Sequence, residues 1–306
     1  RPGPRARSLW TCRLFLPVNH QPRAVEVQIG SYFSQEGRYA GLIQSSVRAN
    51  LLLLDGETPG SRMISAEQSP LTRKLSAFVA LSEAELAALA RLHRRSRTFA
   101  AGRDMVHQGQ SDQAAYILCK GWVCSYKIQP HGTRQIVDFQ VPGDFLGLRS
   151  VLLRTSDHSF EPIVTIEAVE VFKTDLLAAF AQTPRLATAI LWAASRDEAM
   201  VVEHLVGIGR RDADARMAHF LLELGSRLAL VALADNEGYD CPLTQYHLAD
   251  ALGLSAIHVN RVLRQLRESG LVTFRDGHVT FHDLDRLAEL ADFDPAYLDH
   301  TGPLLN

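Results

Sequence analysis

The sequence predicts an α+β fold in which a double-stranded, jelly-roll-like β-roll is followed by one long helix and a C-terminal winged helix-turn-helix. Three observations predict this order. Apolar and polar residues alternate with a period of two from about residue 96 to residue 173, a helical period begins at Pro184, and two short helical patterns flank Gly253. The chain has 306 residues, which is long enough for two packed domains.

The first 62 residues differ in composition from the rest of the chain. They contain eight arginines but no lysine and no methionine. Residues 25–29 alternate as a short strand and residues 51–54 form an apolar run, but no partner elements are evident. We expect residues 1–62 to be a disordered or non-native extension, with Met63 as the natural start; a genuine N-terminal arm is the alternative.

Residues 63–183 are predicted to form the β-roll domain. Ser82 and Glu85 have the spacing of a capping box, which predicts a helix over residues 82–93. Turn signals containing glycine or proline then separate short alternating runs. Many short strands at regular spacing are typical of a sandwich or a barrel-like roll, with room for one small ligand. The predicted strands are residues 96–99, 104–108, 114–119, 122–128, 134–141, 163–168 and 169–173.

Residues 184–209 are predicted to form a dimerisation helix and a hinge. Apolar residues recur on two neighbouring stripes, so that one stripe can cover the roll while the other meets a partner helix. The alternative is that both stripes lie in the core. Gly207 and Gly209 are expected to interrupt the helix and to form the hinge. The predicted dimer interface comprises Ile190, Leu191, Ala194, Val201 and Leu205.

Residues 210–292 are predicted to form the winged helix-turn-helix, with a C-terminal tail over residues 293–306. An amphipathic helix over residues 211–230 opens this domain. Thr244 and Ser255 are suitable N-caps for the two helices that follow. The chain must turn sharply between these helices, and Gly253 suits that turn because glycine tolerates a positive φ.

The second helix of this pair has an apolar stripe and a donor-rich opposite face. Val259, Val262, Leu263 and Leu266 follow helical spacing. The opposite face suits DNA, since arginine pairs with guanine, asparagine with adenine, and an aliphatic side chain with the methyl group of thymine. The alternative is an ordinary solvated face of a small helical bundle. The candidate DNA-binding residues are Thr244, Ser255, Ile257, His258, Asn260, Arg261 and Arg264.

A predicted hairpin follows the second helix directly. Residues 271–274 and 279–281 alternate as strands, and the dipeptide Asp276-Gly277 suits a type I′ turn. A hairpin in this position is a wing; a plain two-stranded cap with solvated charges is the alternative. The candidate DNA contacts at its tip are Arg275 and His278.

Composition excludes several classes of protein. The formal net charge of −2 excludes a polybasic nucleic-acid coat, and no apolar run reaches membrane-spanning length. No secretory signal is evident, so we expect a cytoplasmic protein without a membrane partner. The four cysteines are scattered, without metal-ligand or disulfide spacing. Because no nucleophile–base pair, phosphate-cradling loop or metal-ligand cluster is evident either, we expect no enzyme activity, no metal and no cofactor.

The order of these elements resembles the Crp–Fnr family of bacterial transcription regulators, over roughly residues 75 to 281. The motifs that carry the resemblance are residues 116–121 (YILCKG), 141–147 (VPGDFLG) and 243–271. The first two motifs are typical of the cyclic-nucleotide-binding roll, which is a sensor domain, and the third is typical of the DNA-binding domain. The resemblance implies a homodimer that binds a palindromic operator in double-stranded DNA and regulates transcription nearby, with RNA polymerase as a further partner.

The predicted effector site departs from the family members that bind cyclic AMP. Those members carry Gly-Glu after the Pro-Gly-Asp turn and an Arg-Ser pair further on, whereas here Leu148 follows Gly147 and the later pair is His158-Ser159. The resemblance therefore implies an effector other than cyclic AMP, or none. The alternative is a regulatory protein that binds cyclic AMP through substitute residues. The candidate pocket, beside the long helix, is formed by Leu146, Gly147, Leu148, Arg149, His158 and Ser159.

Two further departures concern other sensing chemistries and base recognition. Members with an iron–sulfur cluster use a group of N-terminal cysteines, which Cys12 alone does not provide, and Cys119 and Cys124 are expected to be buried small residues. Haem-binding relatives use His or Cys ligands, and lone histidines on strands do not indicate such a site. Many members carry Glu four residues before the recognition arginine, where this chain has Ile257. The operator is therefore expected to differ at that base pair.

Overall fold

The computed structural model describes residues 9–18, 21–30, 68–111 and 114–299, and the chain divides into two units, residues 1–56 and 57–306. In the first unit, strands β1 (Leu9–Val18) and β2 (Gln21–Gly30) pair in antiparallel fashion. The predicted strand at residues 25–29 lies within β2, and β1 is a partner that the sequence pattern does not reveal. The apolar run at residues 51–54 and Met63 lie outside the described residues.

Two helices precede the roll in the second unit. Helix α1 (Pro70–Phe78) begins after Ser69, whose hydroxyl accepts a hydrogen bond from the Thr72 amide at 3.1 Å. Helix α2 (Glu83–Leu92) begins with the predicted capping box, in which the Ser82 amide donates to the Glu85 carboxylate at 2.7 Å. Only α2 is predicted from the sequence, although Ser69 followed by proline is a start signal for a helix.

The roll consists of two facing sheets. Its strands are β3 (Ser96–Phe99), β4 (Ala115–Lys120), β5 (Val123–Ile128), β6 (Arg134–Gln140), β7 (Phe145–Leu146), β8 (Ser159–Pro162) and β9 (Ile166–Val171). One sheet has the strand order β3-β9-β4-β7 and the other β6-β5-β8. Leu118, Val123 and Ile166 come from both sheets and are fully buried in one cluster, so the core of the roll lies between the sheets.

Two strand predictions in the roll are wrong. Residues 163–168 and 169–173 do not form two strands, since β9 runs through both segments. Residues 104–108 have only an isolated bridge, between Val106 and Phe160. The backbone amides of His107 and Gln108 donate to the side chains of Gln110 and Ser159 instead of to a strand partner, which ends the ladder.

Helices α3 (Lys173–Gln182) and α4 (Pro184–Arg210) follow the roll. Helix α4 continues through Gly207 and Gly209, so the predicted interruption at these glycines is wrong, and the chain turns at Arg211 instead. A glycine inside a helix costs only about 1 kcal/mol relative to alanine. Side-chain donors from the following helix also satisfy carbonyls of this last turn, which supports its helical form.

The C-terminal part has the predicted winged helix-turn-helix. It comprises α5 (Ala213–Ala229), β10 (Gly238–Asp240), α6 (Gln245–Leu252), α7 (Ala256–Glu268), β11 (Val272–Arg275), β12 (His278–Phe281) and α8 (Leu284–Ala291). The sheet order is β10-β12-β11, so β10 adds a strand that the sequence does not predict. A Cβ on Gly238, at φ +153°, would meet the backbone of β12, so this strand can pair closely only through glycine.

Two buried clusters join the roll to its neighbours. In one, α1 and α4 cover the roll with side chains that include Leu71, Leu75 and Ile190. In the other, Phe139 of β6 packs with Phe220 of α5, their ring centroids 5.7 Å apart, in a core continuous with that of the helix-turn-helix. The roll and the winged helix-turn-helix therefore share apolar core. Among the described residues, no helix is both long and apolar enough to cross a bilayer.

Candidate nucleic-acid interface

Local capping fixes the two helices of the helix-turn-helix. The Thr244 hydroxyl accepts from the His247 amide at 3.3 Å, and the Ser255 hydroxyl accepts from the His258 amide at 3.2 Å. Gly253 ends α6 in the left-handed region, at φ +65°. Thr244 and Ser255 are thus the predicted N-caps, and their exposed hydroxyls remain candidates for phosphate contacts.

The buried stripe of α7 determines which side chains face outward. Val259, Val262 and Leu266 are buried, as predicted, so the helix cannot rotate without exposing apolar surface. The opposite face carries Ile257, which is 84% exposed, and Arg261. Asn260 and Arg264 are exposed as well, whereas His258 is half-buried. The structure therefore brings the candidate residues of this helix onto one outward surface.

The two arginines of this surface differ in their partners. Arg264 Nε lies 3.8 Å from the Glu268 carboxylate one turn later. Arg261 Nη2 lies 2.8 Å from His258 Nε2, so this nitrogen accepts and the His258 ring is in its Nδ1-protonated form. Within the described part of the chain, no carboxylate forms an ion pair with Arg261. Arg261 is therefore held in place while its charge stays available to an acceptor on DNA.

The wing has the predicted tight turn. Asp276 and Gly277 adopt φ values of +53° and +75°, as a type I′ turn requires. Arg275 is exposed at the tip. His278 Nδ1 lies 2.8 Å from the carboxylate of Asp240 on β10, which is itself 95% exposed. The sequence does not predict β10, so it does not predict this acidic neighbour, which reduces the positive charge near the tip.

Helix α6 also contacts the roll directly. Arg134 Nε of β6 donates to the Asp250 carboxylate at 2.9 Å, and the Gln135 side chain donates to the Ala251 carbonyl at 3.1 Å. His247 packs edge-on against Phe139. These contacts join the helix-turn-helix to the roll, and no local pattern in the sequence indicates them.

The outer face of α4 is apolar and largely uncovered. Leu191, Val201 and Leu205 of the predicted interface are 60%, 41% and 69% exposed, and Ala194 is half-buried. Ile190 is only 1% exposed because it packs in the core with α1, so its assignment to the interface is wrong. Two further exposed residues on this face, which the sequence analysis did not assign, are Val202 and Val206.

The candidate effector residues lie close together in the roll. Gly147 adopts φ +67° before a short 3₁₀ helix that includes Leu148 and Arg149. Leu146 is buried, and the Ser159 hydroxyl already accepts from the Gln108 amide at 3.0 Å. The residues named as the pocket are therefore adjacent, but two of them are engaged within the roll.

Asp157 contacts both basic side chains of this cluster. Arg149 Nη2 lies 3.2 Å from His158 Nδ1, and Arg149 Nη1 lies 3.5 Å from the Asp157 carboxylate. His158 Nδ1 also lies 2.8 Å from Asp157. Burial lowers the pKa of His158, although Asp157 opposes that shift. No sequence pattern indicates Asp157, which contacts the two basic side chains that would have to hold an anion.

The described cysteines are buried and unpaired. Cys119, Cys124 and Cys241 are free thiols, and Cys12 is described only by its backbone. Burial raises the pKa of Cys119 to about 11 and that of Cys124 to about 12, so both remain protonated and unreactive. In the part of the chain that the structure describes, no group of three His, Cys, Asp or Glu residues could hold a metal ion.

Comparison with known proteins agrees with this geometry. Residues 96–190 match the cyclic nucleotide-binding domain family, and residues 215–290 match the Crp-like helix-turn-helix domain family. The nitrogen fixation regulation protein FixK of Bradyrhizobium diazoefficiens is 31% identical over 212 residues, which cover 69% of this chain and 87% of that protein. The anaerobic regulatory protein of Haemophilus influenzae is 25% identical over 211 residues, which cover 69% of this chain and 81% of that protein.

A solved structure shares the arrangement of the domains. The structure of FixK2 from Bradyrhizobium japonicum matches with a TM-score of 0.58 at 26% identity, over 64% of this chain and 96% of that chain. The predicted order of roll, long helix and winged helix-turn-helix is confirmed by this likeness.

Proposed function

Because the chain belongs to the Crp–Fnr family of transcription regulators, we propose that it acts as a homodimer on a palindromic DNA operator, with an effector other than cyclic AMP or with none. The observation that carries this proposal is the outward face of α7. A buried stripe fixes the helix, and the face opposite presents arginine, asparagine and an aliphatic side chain to solvent. DNA-binding helices use these residue types against base edges.

The spacing on α7 predicts part of the operator. Ile257 and Arg261 are four residues apart, hence about 6 Å along the helix axis, or roughly two base-pair steps. Arg261 suits a guanine. Ile257 can neither donate nor accept a hydrogen bond, so it suits a thymine methyl rather than the cytosine that a glutamate contacts. Each half-site should therefore contain a G·C pair with an A·T pair about two steps away.

The outer face of α4 supports the homodimer. Its exposed residues Leu191, Val201 and Leu205 follow the spacing of a helix-pair seam, and α4 carries them over several turns. A symmetric pair of α4 helices would cover this apolar strip and place two copies of α7 about a two-fold axis. Two half-sites one helical turn apart would then be bound together.

The charge arrangement near Arg149 supports an effector other than cyclic AMP. Asp157 lies 3.5 Å from Arg149 and 2.8 Å from His158, and it would repel the phosphodiester. Leu148 also provides no carboxylate for the ribose hydroxyls.

We further propose that the DNA-bound dimer contacts RNA polymerase. Run-off transcription with purified polymerase, with and without the regulator, would test this contact.

Selection of DNA from a random pool, with and without cell extract, tests the proposed function. We expect enrichment of inverted repeats, each half containing the G·C and A·T pairs described above. In a matched arm, Ile257→Glu should change the selected base at the A·T position and leave the G·C position unchanged.

The alternative outcomes separate the parts of the proposal. Enrichment of a single motif without a repeat would contradict the symmetric dimer, and no enrichment in either condition would contradict DNA recognition. Enrichment that requires extract would show that a small molecule is needed. If cyclic AMP alone restored the enrichment in place of extract, the effector proposal would be overturned.

A further inference from the structure

One side chain joins the ends of two helices. Arg216 lies on the first turn of α5, and its guanidinium donates to four carbonyl oxygens. Nε donates to Gly207 at 2.9 Å, and Nη2 donates to Ile208 at 3.1 Å and to Arg211 at 2.9 Å. Nη1 donates to Leu252 at 2.6 Å.

The positions of these carbonyls explain why an arginine is needed. Gly207 and Ile208 are in the last turn of α4, and Leu252 is the last residue of α6. The last carbonyls of a helix lack partners within the helix and carry its partial negative charge. A guanidinium has donors on two edges in a rigid plane, whereas a lysine ammonium is a single point on a flexible stem. Arg216 therefore fixes the two helix ends relative to each other.

These two helices carry different parts of the proposed function. Helix α4 carries the strip proposed to form the dimer, so it defines the two-fold axis. Helix α6 packs against α7, which presents Arg261, and Gly253 connects them. The contact between Arg216 and Leu252 is thus a short path from the dimer axis to the recognition helix. The Arg134–Asp250 pair instead joins α6 to the roll.

We infer that Arg216 is a positioning residue that determines which half-site spacing the dimer accepts. The inference rests on the proposed function, since spacing has meaning only for a symmetric dimer. Each added base pair moves one half-site by about 3.4 Å and rotates it by about 34–36°. A dimer whose recognition helices are fixed relative to α4 will discriminate between spacings. A dimer whose recognition helices can turn relative to α4 will bind the different spacings alike.

The experiment measures operator affinity on three duplexes, the selected operator and versions with one base pair added or removed at its centre. The variants are Arg216→Gln and Arg216→Lys. Met217→Ala is the control, because Met217 is a buried neighbour on α5 whose truncation weakens the domain but removes none of the four hydrogen bonds that Arg216 donates. Circular dichroism and sedimentation select the variants that fold and dimerise.

The expected result is a loss of spacing discrimination without a loss of base discrimination. The wild type and Met217→Ala should favour one spacing by about tenfold or more, whereas both Arg216 variants should bind the three duplexes within about threefold of one another. Substitution of the G·C pair assigned to Arg261 should weaken every protein alike. A merely structural role would lower the active fraction equally on all three duplexes.

Three contrary results have different meanings. If a folded Arg216 variant keeps the wild-type spacing preference, the positioning role is wrong while the proposed function stands. If the wild type itself shows no preference, the symmetric dimer is wrong and the inference falls with it. Arg216→Lys keeps the positive charge. Full discrimination between spacings in that variant would show that the charge suffices without the planar guanidinium, which also overturns the inference.

Discussion

We expect base recognition to depend most on Arg261. It is exposed on α7, His258 holds it at 2.8 Å, and its guanidinium can bond the O6 and N7 atoms of guanine together. Arg261→Ala should weaken operator binding by about 1–3 kcal/mol and relax specificity at one base pair in each half-site. Competition binding against a panel of single-base operator variants measures both effects.

Arg264 provides the matched control for that prediction. It lies one turn later on the same helix, but it is ion-paired with Glu268 and suits the phosphate backbone. Arg264→Ala should weaken binding to all sequences alike. If Arg261→Ala behaves in the same way, with the selected sequence unchanged, the assignment of Arg261 to a base is wrong.

Cyclic AMP should bind poorly to the cluster near Arg149. Each charged hydrogen-bond partner contributes about 1.5–3 kcal/mol, so the loss of one carboxylate and one free arginine should cost about 3–6 kcal/mol. Binding that is micromolar in other proteins would become millimolar or weaker on this scale. Calorimetry with cyclic AMP and cyclic GMP measures it directly. Micromolar binding that Arg149→Ala or His158→Ala abolishes would show that these residues serve as substitutes.

His219 should make the fold sensitive to acid. Burial, with the nearby charge of Arg211, lowers the pKa of His219 to about 4 from an ordinary value of 6.5. As the pH falls, His219 is protonated in the unfolded chain at a higher pH than in the folded chain. The contribution of neutral His219 to stability is therefore complete above pH 6.5 and is lost as the pH falls to about 4. By pH 5 the loss should reach at most about 2 kcal/mol.

The substitution His219→Phe isolates this effect. The phenyl ring can still stack on Tyr297 and pack edge-on against Phe293, but it cannot be protonated. Thermal melting at pH 7.5 and pH 5 should show a smaller acid loss in His219→Phe than in the wild type. The exposed His131→Phe should leave the loss unchanged. An equal loss in all three proteins would show that His219 is not the titrating group. Glu223 does not mimic this effect: burial raises its pKa to about 7, so it favours the folded state at low pH.

Among helices, α4 carries the prediction about assembly. Val201 and Leu205 are exposed on its outer face, and in a dimer they would be covered by their symmetry mates. Val201→Asp together with Leu205→Asp would bury unpaired charge at that seam, which should give a monomer with poor operator affinity. Analytical ultracentrifugation measures the change. Leu233→Asp, at an exposed leucine outside α4, should remain dimeric. A wild type that is monomeric with and without DNA would contradict the interface.

The elements that the sequence predicts well are those with local signals. The caps Thr244 and Ser255 and the dipeptide Asp276-Gly277 each act within three or four residues, and the structure has all of them. The predicted strand at residues 104–108 is wrong because the side chains of Gln110 and Ser159 accept hydrogen bonds from backbone amides that a strand would donate to its neighbour. A periodic pattern contains no information about such competition.

The continuity of α4 was missed for a related reason. Gly207 and Gly209 are weak helix formers, and a local analysis ends the helix there. Arg216, in the next helix, satisfies carbonyls of this turn and favours the helical form. Likewise, Ile190 and Leu191 follow equivalent spacing, and only the packing of α1 shows which of them is buried. Periodicity identifies a stripe but not what covers it.

At the scale of the whole molecule, the roll and the helix-turn-helix should unfold together. Phe139 is 1% exposed and packs against Phe220, and its carbonyl accepts from Arg227 at 2.8 Å. Phe139→Ala should destabilise the protein by about 3–5 kcal/mol. Scanning calorimetry should show one transition in both proteins, lowered in the variant. The exposed Ile128→Ala should melt like the wild type. Two separate transitions, with only one of them lowered, would show that the domains are independent.

Buried charges reinforce the same junction. Arg227 of α5 lies 3.0 Å from Asp138 and 2.8 Å from Asp144, and Lys74 of α1 lies 2.7 Å from Asp144. Burial by itself raises the pKa of Asp144, but Lys74 and Arg227 outweigh it and hold that pKa at about 2. These partners are 70 residues or more apart in the chain, so the sequence reveals the acidic turn but not its partners.

The shared core limits how such a regulator can be recombined. A gene fusion that replaces everything before residue 211 with another domain would remove Phe139, the packing partner of Phe220. The new domain would also lack the apolar surface that covered it in its own protein. An exchange of whole domains must therefore also transfer the residues at the junction between the roll and the helix-turn-helix. Substitution of a few residues within the existing roll leaves Phe139 and Arg227 untouched. Substitutions within the roll therefore disturb less of the shared core than replacement of the whole roll does.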